Sequence, residues 1–343
     1  MSRIRSVITF VFFCAVFLQC AGLRAQTTSV VIRAGHFPNI THSQAVISEA
    51  NGWFEKALAA DAKVEWKIFN AGPSAIEAIF ANALDIAYIG PNPTISGYVR
   101  SQGQALKIIA GATSGGAALV VRGDARIQKP EDFHGKKVAS PQLGNTQDVA
   151  LRSWLGKHGM QTTEKGGDVQ VIPISNADQL TLFARKDIDA AWAPEPWASR
   201  LVHEASGRVY LDERTLWPNG QFVTTHLIVS TKFLRQHRDI VKKWVRAHIE
   251  MTDWINANLP EAKRIVNQEI QKETGKALAA KVLEDSFSRM EITYDPIRAS
   301  LLSSAKAAFD AGLLGRQQPN LDGIYDLTIL NEVMREKGKK PIR

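Results

Sequence analysis

The chain is 343 residues long and carries 42 Lys and Arg against 34 Asp and Glu, a formal net charge of +8. Its basic residues fall in short clusters such as Lys136-Lys137 and Lys242-Lys243, with acidic residues nearby and no interleaved aromatics, which argues against a nucleic-acid surface. A mild positive excess suits a soluble protein with a small anionic ligand, although net charge speaks to association rather than to fold.

At the N-terminus, Arg3 and Arg5 precede an apolar run from Val7 to Leu18, and small residues follow at Ala21, Gly22 and Ala25. This is the pattern of a secretory signal peptide, with an apolar core shorter than the roughly 20 residues of a membrane span. Residues 1–25 are therefore expected to be a leader cleaved after Ala25, and the mature chain to be exported. Lipid attachment at Cys20 ranks second, because Gln19 rather than a small residue precedes it. Both cysteines, Cys14 and Cys20, lie in the leader, so the mature chain is expected to hold no disulfide, no zinc–thiolate site and no cysteine nucleophile. Without the leader's Arg3, Arg5 and Arg24 the charge falls by three to +5. About 318 residues remain, enough for roughly two domains.

From residue 29 onward short apolar runs alternate with helical patterns, the signature of an α/β fold with mostly parallel strands. Strands are predicted at 30–34, 64–69, 84–89, 105–110, 119–122, 137–140, 169–173, 189–192 and 225–230. Val64, Trp66 and Ile68 alternate with Glu65 and Lys67, as a strand covered on one face requires. Trp53 and Trp66 are read as core. From Phe233 to the C-terminus the pattern is nearly all helical, with Pro260 opening one of the helices. No internal repeat or low-complexity segment is present.

Four stretches place small and hydroxyl residues where a strand gives way to the next element. Gly72, Pro73 and Ser74 open a helix, and Ser74 with Glu77 has the spacing of a capping box. Gly90 and Asn92 flank Pro91, while Ser114, Gly115 and Gly116 interrupt an apolar run. Gln142, Gly144, Asn145 and Thr146 stand at a further helix start. Each has a local capping explanation. Together they point to a ligand, because open α/β sheets bind at the carboxyl ends of their strands and helix N-termini attract anions.

Catalytic patterns are poor. The chain has no G-x-S-x-G elbow and no H-E-x-x-H, and it lacks the Gly-Lys-Ser/Thr ending of a nucleotide loop. His36 and His42, six residues apart, do not share a helix face, so a metal receptor built on them is a minority reading. His226 reads as a satisfied, partly buried histidine. Glu195, between Pro194 and Pro196 and beside Trp197, reads either as a helix-terminal carboxylate or as a ligand contact.

Segments 35–58, 69–98, 129–155 and 187–202, including "FNAGPSAIEAIFANALDIAYIGPNPTISGY" and "DIDAAWAPEPWASRLV", resemble the periplasmic substrate-binding proteins of nitrate, sulfonate and taurine ABC importers. The resemblance covers nearly the whole mature chain. It implies a type II periplasmic binding protein, with two α/β lobes, a double crossover and a C-terminal helical tail. The crossings would fall near 117–122 and 221–225. Lobe 1 would then comprise residues 26–118 and 223–343, and lobe 2 residues 119–222. It further implies a monomeric receptor without cofactor or metal, handing a small organic anion to a permease and its ATPase in the inner membrane.

Carried over by position, ligand contacts fall on His36, Asn39, Gly72, Ser74, Gly90, Asn92, Ser114, Gly115, Gln142, Asn145, Thr146, Glu195, Trp197 and Thr225. No arginine falls in these segments, so hydroxyls and backbone N–H groups around Ser74, Ser114, Asn145 and Thr146 would meet the anion. An aliphatic sulfonate is the first expectation. Nitrate, bicarbonate and phosphonate are alternatives, as is an enzyme or binder for a pyrimidine on the same scaffold, with His36 and Glu195 as acid and base.

Overall fold

The computed structural model describes residues 29–342. The expected leader, its cleavage site and both cysteines lie outside the described residues. In chain order the strands are β1 (Val30–His36), β2 (Ala62–Ile68), β3 (Ile86–Ile89), β4 (Leu106–Gly115), β5 (Ala117–Arg122), β6 (Lys137–Ser140), β7 (Gln170–Pro173), β8 (Ala190–Pro194), β9 (Gly207–Asp212), β10 (Val223–Ser230) and β11 (Met290–Ile292). They form two sheets, ordered β11-β4-β10-β3-β1-β2 and β7-β6-β8-β5-β9. The chain leaves the first sheet through Gly116, between β4 and β5, and re-enters it at β10.

Each sheet is mixed rather than mostly parallel. β1 pairs parallel with β2 and β3, and β6 pairs parallel with β7 and β8. β10 runs against β3 and β4, and β5 runs against β8 and β9. The crossovers explain this. Strands of the βαβ units end at the gap between the sheets, whereas β5 and β10 each begin there and so run the opposite way.

All nine predicted strands form, and two more join them. β9 is an edge strand of intermediate burial, and β11, three residues long, is too short to show a period. β4 also continues to Gly115, past its predicted end at Ala110. Gly111, Thr113 and Ser114 lack the branched apolar signal of a strand, yet β10 on one side and β11 on the other hold them in the ladder. Gly111 is required here, because a Cβ would lie 2.0 Å from the Asp295 carbonyl oxygen of the segment that crosses it. In β2 the alternation buries Val64 and Trp66 partly, but Ile68 is 48% exposed at this sheet edge.

The first sheet packs on a cluster in which Phe54 stacks on the fully buried Trp244, ring centroids 4.0 Å apart. Burial of one such ring stabilises by roughly 2–3 kcal/mol. Trp53 and Trp66 pack against the same cluster, as expected of core residues. The helical tail begins with Thr231–Gln236 and Arg238–Ala257, and the next helix, Leu259–Thr274, carries Pro260 in its first turn. Two tail helices bridge the sheets' territories: Ala280–Ser288 packs on Trp197–Glu204, and Arg298–Asp310 packs on both Pro91–Arg100 and Thr146–Lys157. Among the described residues no helix is long and apolar enough to cross a membrane.

Candidate ligand-binding site

A compact cavity of about 30 Å³ lies between the two sheets. The first sheet's side contributes Asn39, Thr41 and His42 after β1, Asn70 to Gly72 after β2, Gly90 after β3, and Thr224 and Thr225 on β10. The other side contributes Asn145, Thr146 and Gln147 after β6, Asn176 after β7 and Pro194 at the end of β8. The helices Gly72–Phe80, Pro91–Arg100, Thr146–Lys157 and Asn176–Ala184 all start at this wall. Their first-turn N–H groups have no partner within the helix, and each helix places the positive end of its dipole there.

Local chemistry sets these starts. Asn145 caps its helix by accepting the Asp148 N–H at 2.9 Å. Asp148, fully buried, also accepts from Ser140 Oγ at 2.8 Å and the Gly144 N–H at 2.9 Å, and pairs with Arg152. This fixes the loop that carries Thr146. Across the gap Gly90 adopts φ −70° and ψ 160°, open to any residue, but a Cβ on it would lie 2.3 Å from Thr146 Oγ1. The two sides meet that closely.

No Lys, Arg, Asp or Glu lines the cavity. His42 is the one titratable side chain in its wall, and burial, with the His36 charge nearby adding to it, pushes its pKa well below the ordinary range. It is therefore neutral. Its Nδ1 accepts the Phe37 N–H at 3.4 Å, which leaves Nε2 to carry the hydrogen. Thr41 Oγ1, Thr225 Oγ1 and Asn176 Oδ1 are buried without a hydrogen-bond partner. Buried polar groups are nearly always paired, so these three atoms hold hydrogen-bonding capacity that the protein itself leaves unused. The wall thus offers neutral donors and dipole ends, an environment for an oxyanion or a polar neutral group and not for a cation.

Of the residues expected from sequence, Asn39, Gly72, Gly90, Asn145, Thr146 and Thr225 line this cavity, and the other eight do not. Ser74 is exposed, and its hydroxyl donates to the Ala71 carbonyl at 3.2 Å. The helix starts at Gly72 with Ala71 as an uncapped N-cap, so the expected Ser74–Glu77 capping box does not form, and Glu77 pairs with Arg100 instead. Asn92 donates to the Ser304 carbonyl at 3.1 Å. Ser114 and Gly115 sit in the β4 ladder, and Gly115 accepts from Thr224 Oγ1. Gln142 precedes the capping turn, outside the wall.

Glu195 is wholly buried and fully engaged: it accepts from the Ser199 N–H and hydroxyl at 3.0 and 3.1 Å and from Ser286 Oγ at 3.0 Å, and it pairs with Arg289 at 2.7 Å. Trp197 reaches the wall indirectly, donating from Nε1 to Asn39 Oδ1 at 2.8 Å. His36 faces Glu49 and Glu273 rather than the cavity or His42. The acid–base pair of His36 and Glu195 and the metal pair of His36 and His42 are therefore not assembled. His226 is wholly buried; its Nε2 lies 3.1 Å from the Pro296 carbonyl oxygen, and burial pushes its pKa down to about 4.

Sequence reasoning passed over Thr41, Asn70, Gln147, Asn176 and Thr224, and weighed His42 only as a metal ligand. Asn70 and Asn176 follow strand ends, so the rule that found Asn145 could have found them.

Two mixed α/β lobes joined by crossing strands, with a polar cavity at the crossing, define a type II periplasmic binding protein fold. The chain belongs to the NMT1-like family, whose profile matches residues 25–271. It is similar to the taurine-binding periplasmic protein of Escherichia coli, 26% identical over 209 residues, covering 60% of this chain and 61% of that one. A Bacillus subtilis protein provisionally named as an aliphatic sulfonates-binding protein is 25% identical over 299 residues, covering 86% of each chain. Among solved structures, the periplasmic nitrate-binding protein of Synechocystis PCC 6803 superposes with a TM-score of 0.75 at 15% identity, over 90% of this chain and 89% of that one.

Proposed function

We propose that this protein is the solute receptor of an ABC importer. It closes two lobes, one running from β1 to Gly116 and again from β10 onward and the other from β5 to residue 222, on a small organic anion in the periplasm. It then hands the ligand unchanged to the importer's permease. The observation that carries this reading is the buried, charge-free cavity walled from both sheets, with the Thr41 and Thr225 hydroxyls idle in it. A ligand bridging both sides stabilises the closed arrangement in proportion to the contacts it makes only there.

The ligand is an aliphatic sulfonate. The relatives named for taurine and sulfonates support this, and so does a second cavity of about 260 Å³ beside the first. Thr146 lines both, and Trp154, Trp217 and Phe222 give the second an apolar wall suited to an organic tail, which nitrate or bicarbonate would leave unused. Chemistry on a pyrimidine has no support from the placement of His36 and Glu195.

A thermal-shift and calorimetric panel of alkanesulfonates, taurine, alkylphosphonates, nitrate, bicarbonate and pyrimidines tests the reading, with mass spectrometry following turnover. An alkanesulfonate should bind more tightly than nitrate and be recovered intact. Preference for nitrate would overturn the sulfonate assignment, and turnover would overturn the receptor.

A further inference from the structure

A second constellation lies outside the cavity, where β1 meets the helices Ser43–Asn51 and Leu259–Thr274. His36, the last residue of β1, is wholly buried. Its Nδ1 lies 3.1 Å from the Phe37 carbonyl oxygen, so Nδ1 carries a hydrogen and donates it. Nε2 then faces Glu49 Oε2 at 2.6 Å and Glu273 Oε1 at 3.7 Å. One ligand atom from each of the three residues can be chosen so that all lie within 4.8 Å of one another.

The Glu273 side chain is 2% exposed, yet neither of its carboxylate oxygens has a hydrogen-bond partner. Two carboxylates therefore converge on one imidazole, a mixed nitrogen and oxygen donor set of the kind that holds a cation. Lys272 is taken by Glu269 at 2.6 Å.

We propose that His36 Nε2, Glu49 and Glu273 form a binding site for a divalent cation of the zinc or manganese kind. Imidazole with carboxylates suits these ions, and three protein ligands leave a further position for water. A tetrahedral zinc with bonds of about 2.0–2.1 Å sets its ligand atoms roughly 3.3 Å apart, between the two separations from His36. With all three ligand atoms already within 4.8 Å of one another, side-chain shifts on the order of an ångström complete the geometry. The Phe37 carbonyl supplies the partner that a metal-bound imidazole needs on its other nitrogen to fix ring and tautomer. Glu49, 19% exposed, gives the route in from solvent. The cation would tie β1 to two helices immediately before Asn39, Thr41 and His42, so it would set the base of the loop that walls the cavity.

The test is calorimetric titration of chelator-treated protein with zinc, manganese and calcium chlorides, with a thermal shift in parallel. The wild type should take up about one equivalent of zinc or manganese and melt higher. Glu273→Gln and His36→Gln should bind at least roughly tenfold more weakly. If either fails to fold, Glu49→Gln, at the partly exposed ligand, must show the same loss. No uptake by the wild type overturns the site. So does uptake undiminished in the variants, which would put the ion at the exposed His134–Asp168 or the partly exposed His203–Asp285 pair. Preference for calcium overturns the assigned kind of cation.

Discussion

The Trp197 indole donates a 2.8 Å hydrogen bond to Asn39 Oδ1, joining the segment after β8 of one sheet to the segment after β1 of the other. Both residues are buried, and Trp197 also lies under the Arg200 guanidinium, 4.7 Å from its ring. Opening of the two sides would break this bond, because its donor and acceptor stand on opposite sides of the gap. Trp197→Phe keeps an aromatic ring in place, removes the donor and leaves the Asn39 carbonyl idle, a loss of about 1–2 kcal/mol from the closed state. Ligand affinity by calorimetry should fall by roughly tenfold, while the melting temperature of the free protein stays nearly constant. Unchanged affinity would show that the bond takes no part in closure.

Gly90 gives a sharper test of the same motion. Its backbone angles suit alanine, so Gly90→Ala should fold normally, but the new methyl would meet Thr146 Oγ1 at 2.3 Å in the closed form. Overpacking of this kind costs about 1–3 kcal/mol, and here the cost falls on closure alone. Affinity should drop by roughly tenfold or more, and small-angle scattering should show the variant more open with ligand present than the wild type. A variant that binds as tightly as the wild type would mean that the Gly90–Thr146 approach does not accompany binding.

The part of the site that sequence revealed is the part made by local rules. Asn145, Thr146, Gly72 and Gly90 were legible because each follows a predicted strand and opens a helix, and strand ends in α/β folds face the ligand. Ser74 misled because its helix begins two residues earlier, at Gly72, which turns the hydroxyl back on Ala71. Ser114 misled because β4 runs on past its apolar signal, held by pairing with β10 and β11. Glu195 and His36 were legible as unusual residues but not in their roles. Their partners Ser286, Arg289 and Glu273 belong to the helical tail, and nothing in the local pattern points there. Long-range pairing decided these roles, and a single sequence does not carry it.

Stability should depend on pH through Glu213. This carboxyl is 2% exposed and accepts from Trp192 Nε1 at 2.7 Å; burial pushes its pKa from 4.5 up to about 7, against the indole's opposing effect. Between these values the folded protein holds a proton that the unfolded chain has released. Its contribution is therefore fully present below about pH 4.5, declines as pH rises and is gone above about pH 7. The span is on the order of 3 kcal/mol. Glu213→Gln keeps an acceptor for Trp192 and cannot ionise, so urea midpoints at pH 5 and pH 8 should differ less in the variant than in the wild type. Equal differences in the two proteins would mean that Glu213 does not titrate in this range.

Thr225 separates a binding role from a structural one most cleanly. It lies on β10, is wholly buried and lines the cavity, and its Oγ1 has no partner. Valine has the same shape without the hydroxyl. Were Thr225 only a core residue, Thr225→Val would change little, since replacing an unpaired buried hydroxyl by a methyl is neutral or stabilising. The free protein should indeed melt at the same temperature or slightly higher. If the hydroxyl meets the anion, the same variant should lose affinity by roughly tenfold to a hundredfold, the worth of about 1.5–3 kcal/mol for a hydrogen bond to a charged group. The two readouts therefore move in opposite directions, which no general damage to the fold would produce. Calorimetry on the free and ligand-loaded protein measures both, and a variant that binds as the wild type does would remove Thr225 from the site.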